Sequence, residues 1–429
     1  MTPTWRPTAG LLRAALASLS LATVAVAVGR PDLLVLAAPL LVCAAAAVRQ
    51  RPTARPQARS TLLHASLREG EGTAVRATLT DAAEVEHMVA ALTRRRFLGY
   101  KPADGVRGVT PMNGPATVTL DVPVVTLRWG RRPVGDGLVA ATSPWAGFRW
   151  GPAGLYQQVL TTLPLPGRFD TRAPTPHPIG LVGTNPARRT GDGTAFASIR
   201  PFAPGDRLRR VQWRVSLRTG ALHVTSTHSE EDSSILMVVD AVADFGNPEG
   251  TTATSLDVTV RAAGAVAEHY LVRGDRVGLR VLGSTRHNVV AMGAGKGHLR
   301  RVLDTLAFID PGSDRHADVA RMQFGLTEGT VVVVLSPMLS DESIAATLML
   351  ADRGLSVIVV DTLPEDLDLG DDDPRLRLAW RMRSLERDAL LTKVQKAGVP
   401  VVTWRGPGTL DEVLRRLGRR ASMPKLARR

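Results

Sequence analysis

The sequence predicts a multi-domain chain: an N-terminal transmembrane helical hairpin, a small β-sandwich, and then an α/β domain built on a doubly wound sheet. Three patterns lead to this prediction. Two apolar runs open the chain, short β-type segments follow, and after Asp232 short apolar runs alternate with helical patterns. Strands that alternate with helices are typical of a mostly parallel sheet with both faces covered.

Composition limits the classes of function. The 429 residues suffice for two or three domains, and the formal net charge of +14 is carried largely by arginine. Such a charge favours an acidic protein face, anionic lipid or nucleic acid as partner, with simple solubility as the alternative. Cys43 is the one cysteine of the chain, which argues against intrachain disulfides, multi-thiolate metal sites and Cys-His catalysis.

Residues 1–50 are predicted to form the membrane hairpin. Its apolar runs, Ala14–Val28 and Leu33–Val48, are each ~15–16 residues, or roughly 22–24 Å of helix at about 1.5 Å per residue. A cleaved signal peptide is the alternative for the first run, and the second run argues against it. Arginines lie before the first run and after the second: Arg6, Arg13, Arg49, Arg51, Arg55 and Arg59. By the positive-inside bias, this distribution predicts that both termini and the domains are in the cytoplasm.

A basic linker, residues 51–60, leads to the predicted β-sandwich, residues 61–166. The sandwich is expected because short alternating segments are separated by Gly, Pro, Asp and Asn turns. Glu84–Phe97 fits both a helix and a strand. The expected strands are Leu62–Leu67, Thr73–Leu79, Ala116–Leu120, Val124–Trp129 and Leu138–Ala141.

Residues 167–232 are expected to hold a loop, Gly167–Thr194, followed by an arginine-rich hairpin. Turns at Pro204–Asp206 and Arg218–Gly220 would flank a strand over Val211–Val215, with Ala221–Thr227 as the returning strand. Trp213 lies on the alternating face and is predicted to be a core residue. The clustered arginines would repel one another unless they meet carboxylates, either within the protein or on a partner.

Residues 233–418 are predicted to be the α/β domain, and residues 419–429 a basic tail. The period changes from strand to helix repeatedly along this region. The expected strands are Ile235–Val239, Arg276–Leu282, Asn288–Met292, Thr330–Leu335, Ser356–Val360 and Val401–Thr403. The expected helices are Leu256–Tyr270, Leu299–Ile309, Ile344–Ala351, Leu385–Ala397 and Leu410–Leu417.

The arginine-rich hairpin resembles the signature of the bacterial domain-of-unknown-function 58 family. The positions that match are Arg200, Pro204, Gly205, Asp206, Arg209, Arg210, Val211, Trp213, Arg218, Thr219 and Gly220. The resemblance implies a C-terminal domain like von Willebrand factor A, and a scaffold or adaptor associated with MoxR-type AAA+ ATPases. It implies no enzymatic activity.

A von Willebrand A-like domain can hold a divalent cation at the carboxyl end of its first strand. The candidate ligands are Asp240, Asp244 and Ser336, with Asp341 as a further oxygen, and Mg²⁺ or Mn²⁺ would be the ion. The motif is degenerate because Val242 stands where a serine is expected. The alternative is an aspartate that caps a helix or pairs with the arginines of the hairpin.

The remaining motifs predict no catalytic or cofactor-binding residue. Gly293–Gly297 resembles a phosphate loop but lacks the first glycine and the final Ser or Thr of that motif. We therefore expect a membrane-anchored, non-enzymatic adaptor for a cytoplasmic protein partner. The alternatives are a metal-dependent protein-binding domain that uses the Asp240 loop and, more weakly, a basic patch for nucleic acid or anionic lipid.

Overall fold

The computed structural model describes residues 3–112, 114–164, 186–203, 206–230, 234–250, 252–283, 289–310, 312, 330–370 and 373–406, with backbone alone for 186–197 and 227–230. The chain divides into two compact units, Met1–Leu163 and Pro164–Arg429. Several predictions lie outside the described residues: Pro204 and Gly205 of the signature turn, the helix Leu410–Leu417, and the basic tail 419–429.

The first unit contains two helices, α1 (Ala9–Val28) and α2 (Asp32–Arg49), that pack against each other. Thr8 caps α1 by accepting a hydrogen bond from the Leu11 amide at 3.2 Å, and Gly29 ends it in the left-handed region with a φ of 69°. Both helices are long and apolar enough to cross a membrane. The two predicted apolar helices are therefore present.

The rest of this unit is a β domain of several sheets around one core. Its strands are β1 (Arg6–Pro7), β2 (Gln57–Leu62), β3 (Ser66–Arg68), β4 (Gly72–Thr80), β5 (His87–Leu92), β6 (Leu98–Tyr100), β7 (Val106–Val109), β8 (Thr117–Thr126), β9 (Gly130–Val134), β10 (Gly137–Thr142), β11 (Phe148–Leu155) and β12 (Gln158–Leu163). They pair in the orders β1-β11-β10-β5-β7, β2-β4-β8-β6 and β3-β12-β9.

Alternating burial along β4 and β8 directs one face of each strand into a core that includes Leu79, Met88, Trp150 and Leu160. The ambiguous stretch Glu84–Phe97 contains a strand, β5. The separate strand predicted at Val124–Trp129 is absent, because β8 runs unbroken from Thr117 to Thr126 while it pairs with β4.

Among the described residues of the second unit, the signature element comes first and is followed by alternating strands and helices. The signature element comprises β13 (Pro186–Pro201), a short 3₁₀ turn (Leu208–Arg210), α3 (Trp213–Thr219) and β14 (His223–Glu230). After it come β15 (Ser234–Asp240), α4 (Ser255–Val272), β16 (Arg276–Leu282), β17 (Val289–Gly293), α5 (Lys296–Ala307), β18 (Val331–Ser336), α6 (Asp341–Asp352), β19 (Ser356–Asp361), α7 (Pro374–Lys396) and β20 (Val401–Thr403).

These later strands form one six-stranded sheet in the order β17-β16-β15-β18-β19-β20, parallel except for the edge strand β17. Every residue of β15 and β18 is buried, so both faces of the central strands are covered. Residues of α6 and α7 (Ile344, Leu350 and Val394) share a core with alternate residues of the sheet. The parallel strands bring the ends of β15, β18 and β19 to one edge, the carboxyl edge of the sheet.

Candidate functional site

The signature element is a strand pair whose connection contains a short helix. Its strands, β13 and β14, are antiparallel, with Ile199 opposite Thr225 and Arg200 opposite Val224. The predicted loop Gly167–Thr194 is wrong for residues 186–194, because β13 begins at Pro186 and pairing with β14 overrides the Gly- and Thr-rich composition. Residues 167–185 of that prediction lie outside the described residues.

The predicted strand Val211–Val215 is also wrong: Val211 makes one isolated bridge, and α3 starts at Trp213. The apolar residues fit a helix as well, since Val211 and Val215, like Trp213 and Leu217, are four positions apart. Gly220 ends α3 with a φ of 71°, a conformation that favours glycine. The Thr219 hydroxyl donates to the Val215 carbonyl at 3.0 Å. These two matched positions of the signature therefore build the end of the helix.

Asp206 closes the turn that precedes the helix. The Arg200 guanidinium donates two hydrogen bonds to its carboxylate, at 2.7 and 2.6 Å, and the Ala203 amide donates a third at 2.8 Å. The Arg200 bond is the main reason that the pKa of Asp206 lies below its usual range. Arg200 and Asp206 are thus a pair internal to the signature element.

The segment that connects β13 to β14 exposes both apolar and basic side chains. Trp213 is 61% exposed and Leu217 83% exposed, so the prediction that Trp213 is a core residue is wrong. Leu208 and Leu222 are exposed beside them in sequence. The exposed arginines Arg209, Arg214 and Arg218 have no carboxylate partner within the described part of the chain. We call this set of exposed side chains on residues 208–222 the signature face.

A second candidate site lies at the carboxyl edge of the sheet. Because β15 and β18 pair in parallel, Asp240 and Ser336 meet at their ends, and the Ser336 hydroxyl donates to Asp240 Oδ2 at 2.6 Å. Ser340 donates to the same oxygen at 3.1 Å, and the Val242 amide donates to Oδ1 at 3.1 Å. Burial raises the pKa of Asp240, and these hydrogen bonds oppose that rise.

Of the three predicted metal ligands, Asp240 and Ser336 meet, whereas the carboxylate of Asp244 is bound elsewhere. Asp244 lies at the start of α4, where its Oδ1 accepts from the Leu256 amide at 3.0 Å. Asp240 is 2% exposed and Ser336 is fully buried, and their polar atoms are occupied by each other and by neighbouring hydroxyls. One buried carboxylate with serine hydroxyls does not fit Mg²⁺ or Mn²⁺, which need several open oxygen ligands. Among the described residues, no three His, Cys, Asp or Glu side chains form a metal cluster.

The partners of Asp240 also correct a second expectation. The alternative to metal binding was that Asp240 pairs with the arginines of the hairpin, and its donors are instead the Val242 amide and two serine hydroxyls. Asp240 therefore acts as a structural acceptor that joins β15 to the loop after β18.

Next to this cluster, a buried ion pair joins the sheet to α7. The Arg387 guanidinium pairs with Asp361 at the end of β19, and its Nε donates to the Pro337 carbonyl at 2.7 Å. An open cleft of about 310 Å³ lies beside this pair and is also lined by Trp380, Ser384 and Thr403. Its lining carboxylates, Asp361 and Glu365, are both paired with arginines.

Sequence reasoning missed Ser340, Ser343, Asp361 and Arg387. Asp361 ends a valine-rich strand as Asp240 does, and that similarity was a usable signal. Ser340 precedes Asp341 and Glu342 in the pattern of a helix N-cap, and its hydroxyl accepts from the Ser343 amide. Arg387 had no signal, because it is one of several arginines on a long charged helix.

A comparison with protein-family models agrees with the family resemblance of the signature residues. Residues 198–374 match the family model described as Protein of unknown function DUF58, a segment that begins in β13. Uncharacterized proteins of Mycobacterium tuberculosis and Mycobacterium bovis are 29% identical over 119 residues, which is 27% of this chain. The chain spans 37% of the length of these relatives.

Solved structures show weaker likeness. A non-cellulosomal cohesin from the archaeon Archaeoglobus fulgidus has a TM-score of 0.21 at 11% identity, covering 25% of this chain and 91% of the cohesin. The cupredoxin domain of amoB from Nitrosocaldus yellowstonii has a TM-score of 0.17 at 11% identity, covering 28% and 95%. These scores are too low to bear on the fold. The match over residues 198–374 supports the assignment of this segment of the chain to the DUF58 family.

Proposed function

We propose that the protein is a membrane-anchored, non-enzymatic adaptor whose signature face binds an acidic surface on a protein partner. The observation that carries this proposal is the exposure of Trp213 and Leu217 among arginines that have no carboxylate partner in the described residues. Tryptophan and arginine are the residues most enriched among those that dominate binding energy in protein interfaces. An exposed apolar group rimmed by charge is also typical of an interaction surface.

The charges of the signature face define the chemistry of its partner. Arg200 is already paired with Asp206, so it stabilises the turn rather than the contact. Arg209, Arg214 and Arg218 remain to meet carboxylates, and guanidinium groups bind carboxylates through paired hydrogen bonds. The family resemblance suggests a MoxR-type AAA+ ATPase as the partner, and an acidic, partly apolar groove is what its docking site should present.

The six-stranded sheet supports a von Willebrand A-like assignment of the second unit, which is part of the proposal. Counted along the chain, its strands lie in the order 3-2-1-4-5-6, with the third antiparallel at the edge. The closed hydrogen-bond cluster at Asp240 favours binding that needs no metal ion.

Membrane anchoring is supported by the length and composition of α1 and α2. Four arginines lie at or near the end of the helix pair where α1 begins and α2 ends: Arg6, Arg13, Arg49 and Arg51. The positive-inside bias then places this end in the cytoplasm. A reporter fused after Arg429 should be active only in the cytoplasm, and activity on the outer side would overturn this orientation.

The partner is tested with the full chain in lipid nanodiscs and a purified MoxR-type ATPase from the same organism. We expect saturable binding that weakens at least about 30-fold when Trp213→Ala and Leu217→Ala are combined, the effect of losing about 2 kcal/mol at an interface centre. Arg214→Glu with Arg218→Glu should abolish binding, because like charges would then face each other.

The matched control is Tyr156→Ala, since Tyr156 is also an exposed aromatic residue, at 79%, but lies in the first unit. Its binding should equal that of the unaltered chain. Equal binding by the Trp213 and Leu217 variant would overturn the proposed face. If the unaltered chain binds oligonucleotides and the charge-reversal variant does not, the ligand of the signature face is nucleic acid and not a protein.

A further inference from the structure

We propose that the base of the helix pair and the adjoining edge of the β domain form a platform that binds anionic phospholipid headgroups, with Trp145 inserted at the bilayer interface. The platform comprises residues 5–8, 49–55 and 144–149, all in the first unit. The inference deepens the proposed function and rests on its membrane anchoring by α1 and α2.

Hydrogen bonds hold the loop of Trp145 beside the first turn of α1. The Thr8 amide donates to the Gly147 carbonyl at 2.9 Å, and the Thr8 hydroxyl donates to the Ala146 carbonyl at 2.7 Å. Thr8 also caps α1, and Arg6 pairs with Arg149 in the antiparallel register of β1 and β11. The loop therefore lies level with the end of the helix.

The same loop is packed against α2. A Cβ atom at Gly147 would lie 2.5 Å from the Cβ of Ala47, so only glycine permits this approach. The segment predicted to be a linker is also fixed: the Thr53 and Ala54 amides each donate to Glu84 Oε2 at 2.8 Å. The β domain is consequently held at the base of the helices, with no free spacer between them. If α1 and α2 span a bilayer, this edge of the domain lies on its surface.

Trp145 has the exposure and the backbone expected of a functional side chain. It is 55% exposed and has a φ of 63°, and Ala146 follows with a φ of 50°. Positive φ is rare and strained for a bulky residue, and such strain is typical of functional sites. Tryptophan beside a membrane-length helix is typical of the bilayer interface, where its apolar ring and its N–H group are both accommodated.

The charge of the platform specifies the lipid. Its exposed arginines have no carboxylate partner within the described ranges, and Glu84 is already occupied by backbone amides. Arg51 instead lies over the ring of Phe148, with its guanidinium carbon 6.0 Å from the ring centroid. Cationic groups at the end of a membrane helix attract anionic headgroups. The arginines of the platform are Arg6, Arg49, Arg51, Arg55 and Arg149.

The test uses the full chain reconstituted into phosphatidylcholine vesicles with or without phosphatidylglycerol. In a Cys43→Ala background, Trp145→Cys carries a polarity-sensitive fluorophore, and Ala146→Cys provides a second labelling position. We expect a blue shift and quenching by lipids spin-labelled near the headgroup, both stronger in anionic vesicles. The matched control is Tyr156→Cys, 79% exposed and just beyond the far end of β11, roughly 23 Å away at about 3.3 Å per residue. Its label should not be quenched.

A charge variant tests the arginines directly. Arg51→Glu with Arg149→Glu should reduce quenching at position 145 several-fold in anionic vesicles and remove the difference between the two lipid mixtures. If quenching at position 145 is the same in both lipid mixtures and is unchanged by the arginine substitutions, the assignment to anionic headgroups is wrong.

Alkaline carbonate extraction separates the two proposals. If the protein resists extraction but the labels at 145 and 146 match the label at 156, the platform is wrong and the membrane anchor stands. If carbonate releases the protein, the anchor and the platform both fall.

Discussion

The carboxyl edge of the sheet and the signature face both bring charged and hydroxyl-bearing side chains together, with opposite results. At the sheet edge, Asp240 is enclosed by serine hydroxyls and Arg387 is paired with Asp361, all with little exposure. On the signature face, Trp213 and Arg214 are exposed, and the described residues offer that arginine no carboxylate. Buried polar groups must be paired because unpaired ones destabilise the fold. The difference indicates that the sheet edge maintains structure, whereas the signature face is exposed to solvent, as the proposed contact with a partner requires.

The strongest test of this contrast is Arg387→Ala. Removing the guanidinium leaves Asp361 buried without its partner, so we expect the free energy of unfolding to fall by about 3–5 kcal/mol. Chemical unfolding of the detergent-solubilised full chain measures the change. Arg300→Ala is the control, because Arg300 is half exposed and pairs with Asp304 four residues along its helix. That loss should stay below about 0.5 kcal/mol, and comparable losses in the two variants would remove the contrast.

Asp240→Ala should have the next largest effect. The hydroxyls of Ser336 and Ser340 and the Val242 amide lose a buried acceptor, for an expected loss of about 1–3 kcal/mol. Asp240→Asn, of similar shape, adds a test by pH. Burial raises the folded pKa of Asp240 above its unfolded value of about 3.9. The unaltered chain therefore loses stability as pH rises from the unfolded pKa to the folded pKa of Asp240. The asparagine variant should lack this loss, so parallel pH profiles of the two proteins would show that Asp240 is not desolvated.

Asp206→Asn should have a smaller and more local effect, because its paired side chains are partly exposed to solvent. Its pairing with Arg200 lowers the pKa of Asp206, so the stabilisation is present above the unfolded pKa of about 3.9 and is lost as pH falls through the folded value. Hydrogen exchange at Ala203 and Arg210, compared between the two proteins near neutral pH, should show faster exchange in the variant. Unchanged exchange would mean that the turn does not depend on this pair.

Trp213→Ala should have the smallest effect on stability, within about 0.5 kcal/mol, because its side chain is mostly in solvent. Trp150→Ala, at a position 1% exposed in the β-domain core, should lower the free energy of unfolding by about 3–5 kcal/mol. The same unfolding measurement compares them. A large fall in the free energy of unfolding of the Trp213 variant would show that Trp213 supports the fold, and the argument for the signature face would then fail.

The sequence by itself determined the features that depend on local periodicity. The runs Ala14–Val28 and Leu33–Val48 lie within α1 and α2, and all of the predicted strand Thr330–Leu335 except Thr330 lies in a fully buried strand. Runs of this kind identify their structure because the side chains repeat with the period of the backbone that buries them. The signature residues were likewise recognisable, and their family is confirmed by the match over residues 198–374.

Tertiary structure decided which residues meet. Ser336 and Asp240 are 96 positions apart and touch only because β15 and β18 are neighbours, whereas Asp244, four residues from Asp240, turns to α4. Val211–Val215 fits a strand and a helix equally well in its spacing, and the pairing of β13 with β14 leaves its segment as the helical connection. Contacts between distant elements also decide the exposure of Trp213 and fix the position of residues 51–60, which were predicted to be a linker. Contacts between distant elements determine burial and partners, and these contacts leave no periodic trace in a single sequence.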